Sequence, residues 1–226
     1  MSINIICGLT GSGKTYLMTK IGLELLEKAA PEINLYTCGF HVKHEDLQHR
    51  IFYVNDLKKL TELERGIVLI DEIGIWFSAR QWNKLDPRIQ YKFQQHRKDG
   101  LIIYGTTQWF DSIDRVIRQL THRYFEVKKL CASEESAAKV WGVLKMSEFR
   151  PWQYDKIRRT AIDNEYFFIR KKYCEAYDTF EKVTPSEKKI GTTSKKSKEE
   201  KFTKGGFVKT YQKRLLQKKA LAIRQE

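Results

Sequence analysis

Eight residues near the amino end, Gly8-Leu9-Thr10-Gly11-Ser12-Gly13-Lys14-Thr15, restrict the fold of this chain more than any other stretch. They read G-x-x-x-x-G-K-T. Before them lies a short apolar run, Ile3–Cys7, and after them a segment, about 15–29, with Leu17, Ile21 and Leu25 at helical spacing. Strand, glycine-rich turn and helix are the context in which this pattern holds phosphate. Glycines let successive backbone N–H groups turn inward as an anion nest at the positive end of the helix. Lys14 adds a point charge for the β- and γ-phosphates, and Thr15 a hydroxyl for Mg²⁺. Gly8, Gly11, Ser12, Gly13, Lys14, Thr15 and the adjoining Tyr16 are thus the candidate ATP-binding residues.

A second signal is Ile67-Val68-Leu69-Ile70-Asp71-Glu72. The run Gly66–Ile70 is apolar on both faces, as a strand inside a parallel sheet is. Two carboxylates at its C-terminal end have a use beside a phosphate loop. Asp71 would hold the metal shell, and Glu72 would orient or deprotonate an attacking water. The stretch Leu101–Thr107 is another buried strand, next to the loop strand in a doubly wound sheet. Gln108 directly after it can bond both a γ-phosphate and a water.

Between and beyond these motifs, strands and helices alternate. Strands are expected at 33–38, 51–54 and 123–130, with added strands at 140–147 and 165–173 and a loop at Pro151-Trp152. Helices are expected from Asn55, over 86–98 and over 110–120. Repeated crossovers predict an α/β fold of three layers around a mainly parallel sheet, the RecA-like form of the P-loop NTPases.

The loop, the acidic pair, Gln95-His96-Arg97-Lys98-Asp99-Gly100-Leu101-Ile102-Ile103, Thr107-Gln108 and Ile113-Asp114-Arg115-Val116-Ile117-Arg118 together resemble the zonular occludens toxin family. That family includes assembly ATPases of filamentous phages and is similar to viral packaging ATPases of the FtsK–HerA type. The resemblance spans roughly 1–130. It implies a ring, often hexameric, in which MgATP is bound by Lys14 and Thr15 and the metal by Asp71. Glu72 would serve the catalytic water, Gln108 would act as sensor, and Arg97 or Arg118 would reach a neighbour's γ-phosphate. Where the family often has a second His after His-Arg, this chain has Lys98, so no role for that His transfers. Filamentous-phage members carry a membrane span after the ATPase region; none is legible here, which favours a soluble packaging or assembly motor over a membrane-embedded one.

Charge is concentrated at one end of the 226 residues. The chain has 42 Lys+Arg against 28 Asp+Glu, a net of +14, and residues 182–226 alone contribute +10. Segment 182–206 is rich in Lys, Ser, Thr and Gly and is expected to be a mobile linker. In 207–226, Phe207, Tyr211 and Leu215 recur at helical spacing among lysines, a basic amphipathic helix after the ATPase domain, 1–181. Such a tail suits nucleic acid, an anionic membrane or a partner groove on a capsid or membrane protein, and also reads as a simple solubilising tail. No apolar run approaches the ~18 residues of a membrane span, and Met1-Ser2-Ile3-Asn4 does not open a secretory signal. Cys7, Cys38, Cys131 and Cys174 are too scattered for a disulfide framework. The expected setting is the host cytoplasm, or the virion.

Cys38, His41, His44 and His49 fit no common zinc spacing. Trp76, Phe77, Trp82, Trp109 and Phe110 follow the acidic and sensor strands, where aromatics stack on bases, meet a neighbouring subunit or fill the core. The expected function is ATP-driven translocation or packaging of DNA, bound without regard to sequence. A nucleotide-dependent adaptor or switch with little turnover remains open, as does a small-molecule kinase. The direct Asp71-Glu72 succession suits water activation better than the last.

Overall fold

The computed structural model describes residues 1–80, 87–132, 140–149 and 161–178, all within one compact unit. The expected linker, the basic helix, the Pro151-Trp152 loop, Trp82 and Asp86 lie outside the described residues. Eight strands form one sheet: β1 (Ile3–Cys7), β2 (Asn34–Cys38), β3 (Ile51–Tyr53), β4 (Gly66–Ile70), β5 (Leu101–Thr107), β6 (Arg123–Ala132), β7 (Val140–Phe149) and β8 (Asp163–Arg170). Their order is β3-β2-β4-β5-β1-β6-β7-β8. The first six run parallel and the last two pair antiparallel. The fold is the three-layer α/β fold of P-loop NTPases with added C-terminal strands, as the crossovers predict.

Helices cover both faces because β1, β4 and β5 are apolar on both. On one face lies α1 (Lys14–Lys28), whose Leu17, Leu23 and Leu26 pack with Ile6, Leu35, Ile67 and Leu69. Its buried stripe is rotated from the expected Leu17-Ile21-Leu25 line, and Ile21 and Leu25 sit at the margin. The cause is Gly22, where a Cβ would stand 2.6 Å from Leu69 Cδ1, so the helix backbone presses onto β4 there. On the other face lie α2 (Leu57–Leu60), α3 (Ile73–Trp76), α4 (Pro87–Gln95) and α5 (Arg115–Leu120). Their Ile73, Phe93 and Ile117 close over Ile5, Val68 and Ile103.

Three local expectations are corrected. The helix over 110–120 is interrupted: a 3₁₀ turn at Phe110–Ser112 precedes α5. Ile113 forms a strand bridge with Ser78, and the Asp114 carboxylate accepts from Val116 N–H at 2.8 Å, starting a new helix. The strand over 165–173 ends at Arg170 and gives way to α6 (Lys171–Cys174). The helix over 86–98 ends at Gln95, in a turn that closes at Gly100 with φ 72°.

Arg50 explains how α1 is terminated without a glycine. Its guanidinium donates to the carbonyls of Ala30 and Ile33, both at 2.7 Å, just beyond the end of α1, where carbonyls lack helical partners. Charged donors at that pole also oppose the helix dipole. Arg50→Ala is expected to lower the unfolding free energy by about 1–3 kcal/mol, read from urea denaturation. An unchanged midpoint would remove Arg50 from this role.

Candidate functional site

The parallel strands all end at one edge, and there the phosphate loop meets the acidic pair. Strand β5 intervenes between β1 and β4, so the two motifs start about 10 Å apart. Side chains close the gap. Thr15 Oγ1 donates to Asp71 Oδ1 at 3.1 Å, and Thr106 Oγ1, on β5 itself, donates to the same oxygen at 2.5 Å. Thr106 Oγ1 also accepts from the Glu72 N–H at 2.9 Å. The Trp76 indole N–H donates to the Asp71 carbonyl at 3.2 Å. Thr106 and Trp76 are absent from the candidate site in the sequence, although Thr106 lies beside the sensor position in the readable run Thr106-Thr107-Gln108.

The loop is shaped by Gly11 and Gly13, at φ 75° and 91°. Gly13 is doubly constrained, since a Cβ there would lie 2.8 Å from Leu144 on β7. At Gly8 a Cβ would lie 2.7 Å from the Val127 carbonyl of β6. The buried Lys14 ammonium donates to the Leu9 carbonyl at 3.2 Å, inside the loop. Ser12 Oγ is buried with no hydrogen-bond partner among the described residues.

Glu72 has left-handed backbone, φ 48° and ψ 54°, rare for a residue with a side chain and typical of functional positions. Burial pushes its carboxyl pKa up, and the Asp71 charge adds to this. Lys14 and a hydrogen bond with Gln108 act in the opposite direction. The structure therefore brings Lys14, Thr15, Asp71, Glu72 and Gln108 together at one edge.

Tyr16 is a correction as regards its side chain. The phenol is buried and turned toward β8, donating to the Phe168 carbonyl at 3.1 Å and accepting from Arg170 N–H at 2.9 Å. Only its backbone N–H remains for the phosphate nest. The two arginines lie apart from the cradle. Arg118 is held by Asp111 at 3.1 Å, its side chain mostly covered. Arg97 is exposed, in the turn before β5 and hence at the opposite edge of the sheet. Of the Cys and His residues that fit no zinc spacing, His41 stacks on Tyr53 at 3.8 Å, His44 lies 3.8 Å from Glu27, and Cys38 is buried with its thiol pushed up to about 12. Phe77 and Phe110 are core residues, whereas Trp109 is 62% exposed.

Fold and site together define a P-loop NTPase architecture, with the strand β5 between the loop strand and the acidic strand. A family model described as zonular occludens toxin (Zot) matches residues 16–134, just over half of the chain, and the chain belongs to that family. Among solved structures it is similar to the N-terminal domain of zonular occludens toxin from Neisseria meningitidis. That match has 19% identity and TM-score 0.52, over 78% of this chain and 98% of that one, and shows a shared fold. Lower similarity is found to the genome packaging NTPase B204 from Sulfolobus turreted icosahedral virus 2, with 18% identity, 59% and 76% coverage and TM-score 0.45. The flagellar accessory protein FlaH from Methanocaldococcus jannaschii gives 14%, 74% and 84%, and 0.46. A comparison with curated protein sequences found no match.

His96, beside Arg97 in the His-Arg pair, is buried and structural. Its Nδ1–H donates to the Phe93 carbonyl at 2.6 Å, and its ring meets that of His122 at 5.3 Å. Burial lowers its pKa, and the charges of His122, the amino terminus and Arg97 lower it further. The unfolded chain therefore takes up this proton first as pH falls below about 6.5, the ordinary imidazole value. Stability from this site is full above that value and is lost as pH drops through the folded-state pKa. Denaturation midpoints are expected to fall between neutral and mildly acid pH, and His96→Asn, which keeps a donor for Phe93, should flatten the fall. An equally steep fall in the variant would assign it to other groups.

Proposed function

We propose that this chain is an ATP-hydrolysing motor that moves DNA during virus assembly. The observation that carries the reading is the meeting of Thr15 and Asp71, hydroxyl on carboxylate, in front of the phosphate loop. The donor set fits its group: two hard oxygens side by side suit Mg²⁺. The left-handed glycines, with the unpartnered Ser12 hydroxyl between them, suit a phosphate. When bound, Mg²⁺ would be held by Thr15 and Asp71 and would neutralise charge developing on the phosphates.

The chain's own residues supply the rest. The backbone N–H groups of Gly11 to Thr15 cradle the phosphates, and Lys14 exchanges the Leu9 carbonyl for phosphate oxygens. Glu72 takes the proton of the attacking water, for which a carboxyl pKa raised toward neutrality is suited. Gln108, already hydrogen-bonded to Glu72, orients that water. Assembly into a ring brings a neighbour's arginine to the γ-phosphate. Arg97 is favoured over Arg118, because it is exposed while Arg118 is committed to Asp111. DNA is held through phosphate contacts that weaken with salt, and the basic tail adds DNA, a capsid protein or a membrane protein as its partner. The setting is the host cytoplasm or the virion. A nucleotide-dependent adaptor and a kinase are the competing outcomes.

Lys14→Ala is expected to abolish ATP binding, read with a fluorescent analogue. Glu72→Gln should keep binding and lower phosphate release about 10²–10⁴-fold. Arg97→Ala alone should lose turnover, and mixing it with Lys14→Ala protein, whose Arg97 can reach the intact site of a neighbour, should restore part of it; no restoration would remove Arg97 from a trans-acting role. Parent protein that binds ATP yet releases no phosphate, with or without DNA, would favour the adaptor; a phosphorylated acceptor would favour the kinase.

A further inference from the structure

We propose that the face of β6, β7 and β8 turned away from α1 is a platform for single-stranded DNA. Tyr166 and Phe168 stack on bases, and Lys128 and Lys145 hold the backbone beside them. The inference deepens the motor reading and rests on it for DNA as the polymer.

Strand alternation fixes which side chains share the face. Phe125, Val127, Leu144, Met146 and Ile169 belong to the core on the α1 side, and Phe167 packs against it. Their alternate neighbours Lys128, Lys145, Tyr166 and Phe168 therefore project from the opposite side. The register aligns them. Lys128 pairs with Lys145 and Lys145 with Tyr166, forming one row across three strands, and Phe168 lies two residues along from Tyr166. The next row is Glu126, Ser147 and Asn164, in which the Glu126 carboxylate accepts from the Tyr124 hydroxyl at 2.9 Å and the Ser147 hydroxyl donates to the Asn164 side-chain oxygen at 2.7 Å.

Three properties single out this face. First, the helices opposite α1 pack over the other half of the sheet. Tyr166 and Phe168 are left 59% and 57% exposed, though an edge strand is where exposed apolar groups are a liability. Second, two lysines directly opposite one another repel, and among the described residues neither has an ion-pair partner. A phosphate between them converts that repulsion into attraction. Third, a cleft of about 750 Å³ runs beside the phosphate loop and takes in Lys128 of the platform together with Glu126, Phe149, Leu9 and the exposed Trp109.

The geometry selects single strands. Aromatic residues two apart on a strand stand about 6.7 Å from each other, and Tyr166 and Phe168 are each more than half exposed. Bases in a duplex already stack on one another, whereas unpaired bases stack on protein aromatics irrespective of sequence. The pattern of aromatic rings and cations on an open sheet is one that single-strand binders use.

The test uses the full-length chain without nucleotide, and a fluorescent oligothymidine as the probe. Tyr166→Ala and Phe168→Ala are each expected to weaken binding about tenfold. Tyr166→Phe should retain affinity, and Lys145→Glu should weaken binding and lower its salt dependence. A duplex of matched length should be insensitive to the aromatic changes. Photo-crosslinking of bromodeoxyuridine in the probe should map to Tyr166 or Phe168. Unchanged binding of a fluorescent ATP analogue checks that each variant is folded. The proposal is overturned if the double alanine variant binds like the parent or if crosslinks fall only within 182–226. It is also overturned if the variants alter oligomeric state with DNA affinity intact, which would make the face an interface between copies. Failure of the motor reading is separate: it appears as absent phosphate release by a parent protein that still binds the oligonucleotide through this face.

Discussion

One hydroxyl links the two halves of the candidate site. The phosphate loop follows β1 and the acidic pair follows β4, strands that do not touch. Thr106, at the end of the strand between them, donates to Asp71 and accepts from the Glu72 amide. A carboxylate at a largely buried edge is tolerable only when it is hydrogen-bonded, and Thr106 and Thr15 both address the same oxygen, Oδ1. The other carboxylate oxygen stays available. The separation of the strands thus becomes the width of a cradle, held at a fixed span by a neutral donor that adds no charge of its own.

The loop needs support from the other flank, and the added ribbon supplies it. Val127 of β6 and Leu144 of β7 stand where side chains at Gly8 and Gly13 would have to go. The Tyr16 phenol joins the first turn of α1 to the backbone of β8. These strands therefore form one wall of the phosphate loop on one face. On the other face they carry the row of Lys128, Lys145 and Tyr166, with Lys128 and Tyr166 exposed and Lys145 half-buried.

Most of the sheet and the acidic edge were legible because their signals are local. Gly66–Ile70 is apolar throughout, and only a doubly covered strand uses such a run. Gly-x-x-x-x-Gly-Lys-Thr joins strand to helix within a few residues. What could not be read depends on partners distant in sequence. Tyr16 follows the loop and looked like part of it, yet its hydroxyl is claimed by residues 152 and 154 positions away. Arg97 and Arg118 look equivalent as guanidinium groups; topology alone puts one at the far edge of the sheet and the other against Asp111. The break at Ile113 needed Ser78 as a bridge partner, and no periodicity within 110–120 announces it. Thr106 carries no signal of its own, because a threonine in a strand is ordinary until its neighbour strand ends in Asp71.

Charge management at this edge follows from the same contacts. Lys14 and Asp71 act on the Glu72 carboxyl in opposite directions, and each of the three has a polar partner within the chain: the Leu9 carbonyl for Lys14, the two threonine hydroxyls for Asp71 and Gln108 for Glu72. A triphosphate arriving here would exchange partners instead of meeting bare buried charges, so the cost of desolvating these groups is already met by the fold. Glu72 shows how far the arrangement is imposed. Its left-handed backbone is unfavourable for a residue with a Cβ, and it is held by an N–H bond to Thr106 on one side and the Gln108 contact on the other. A glycine would relieve the strain at no steric penalty, but would leave no carboxyl to face the phosphate loop. The strain is best understood as the condition for presenting that carboxyl at the end of a buried strand, within reach of Lys14.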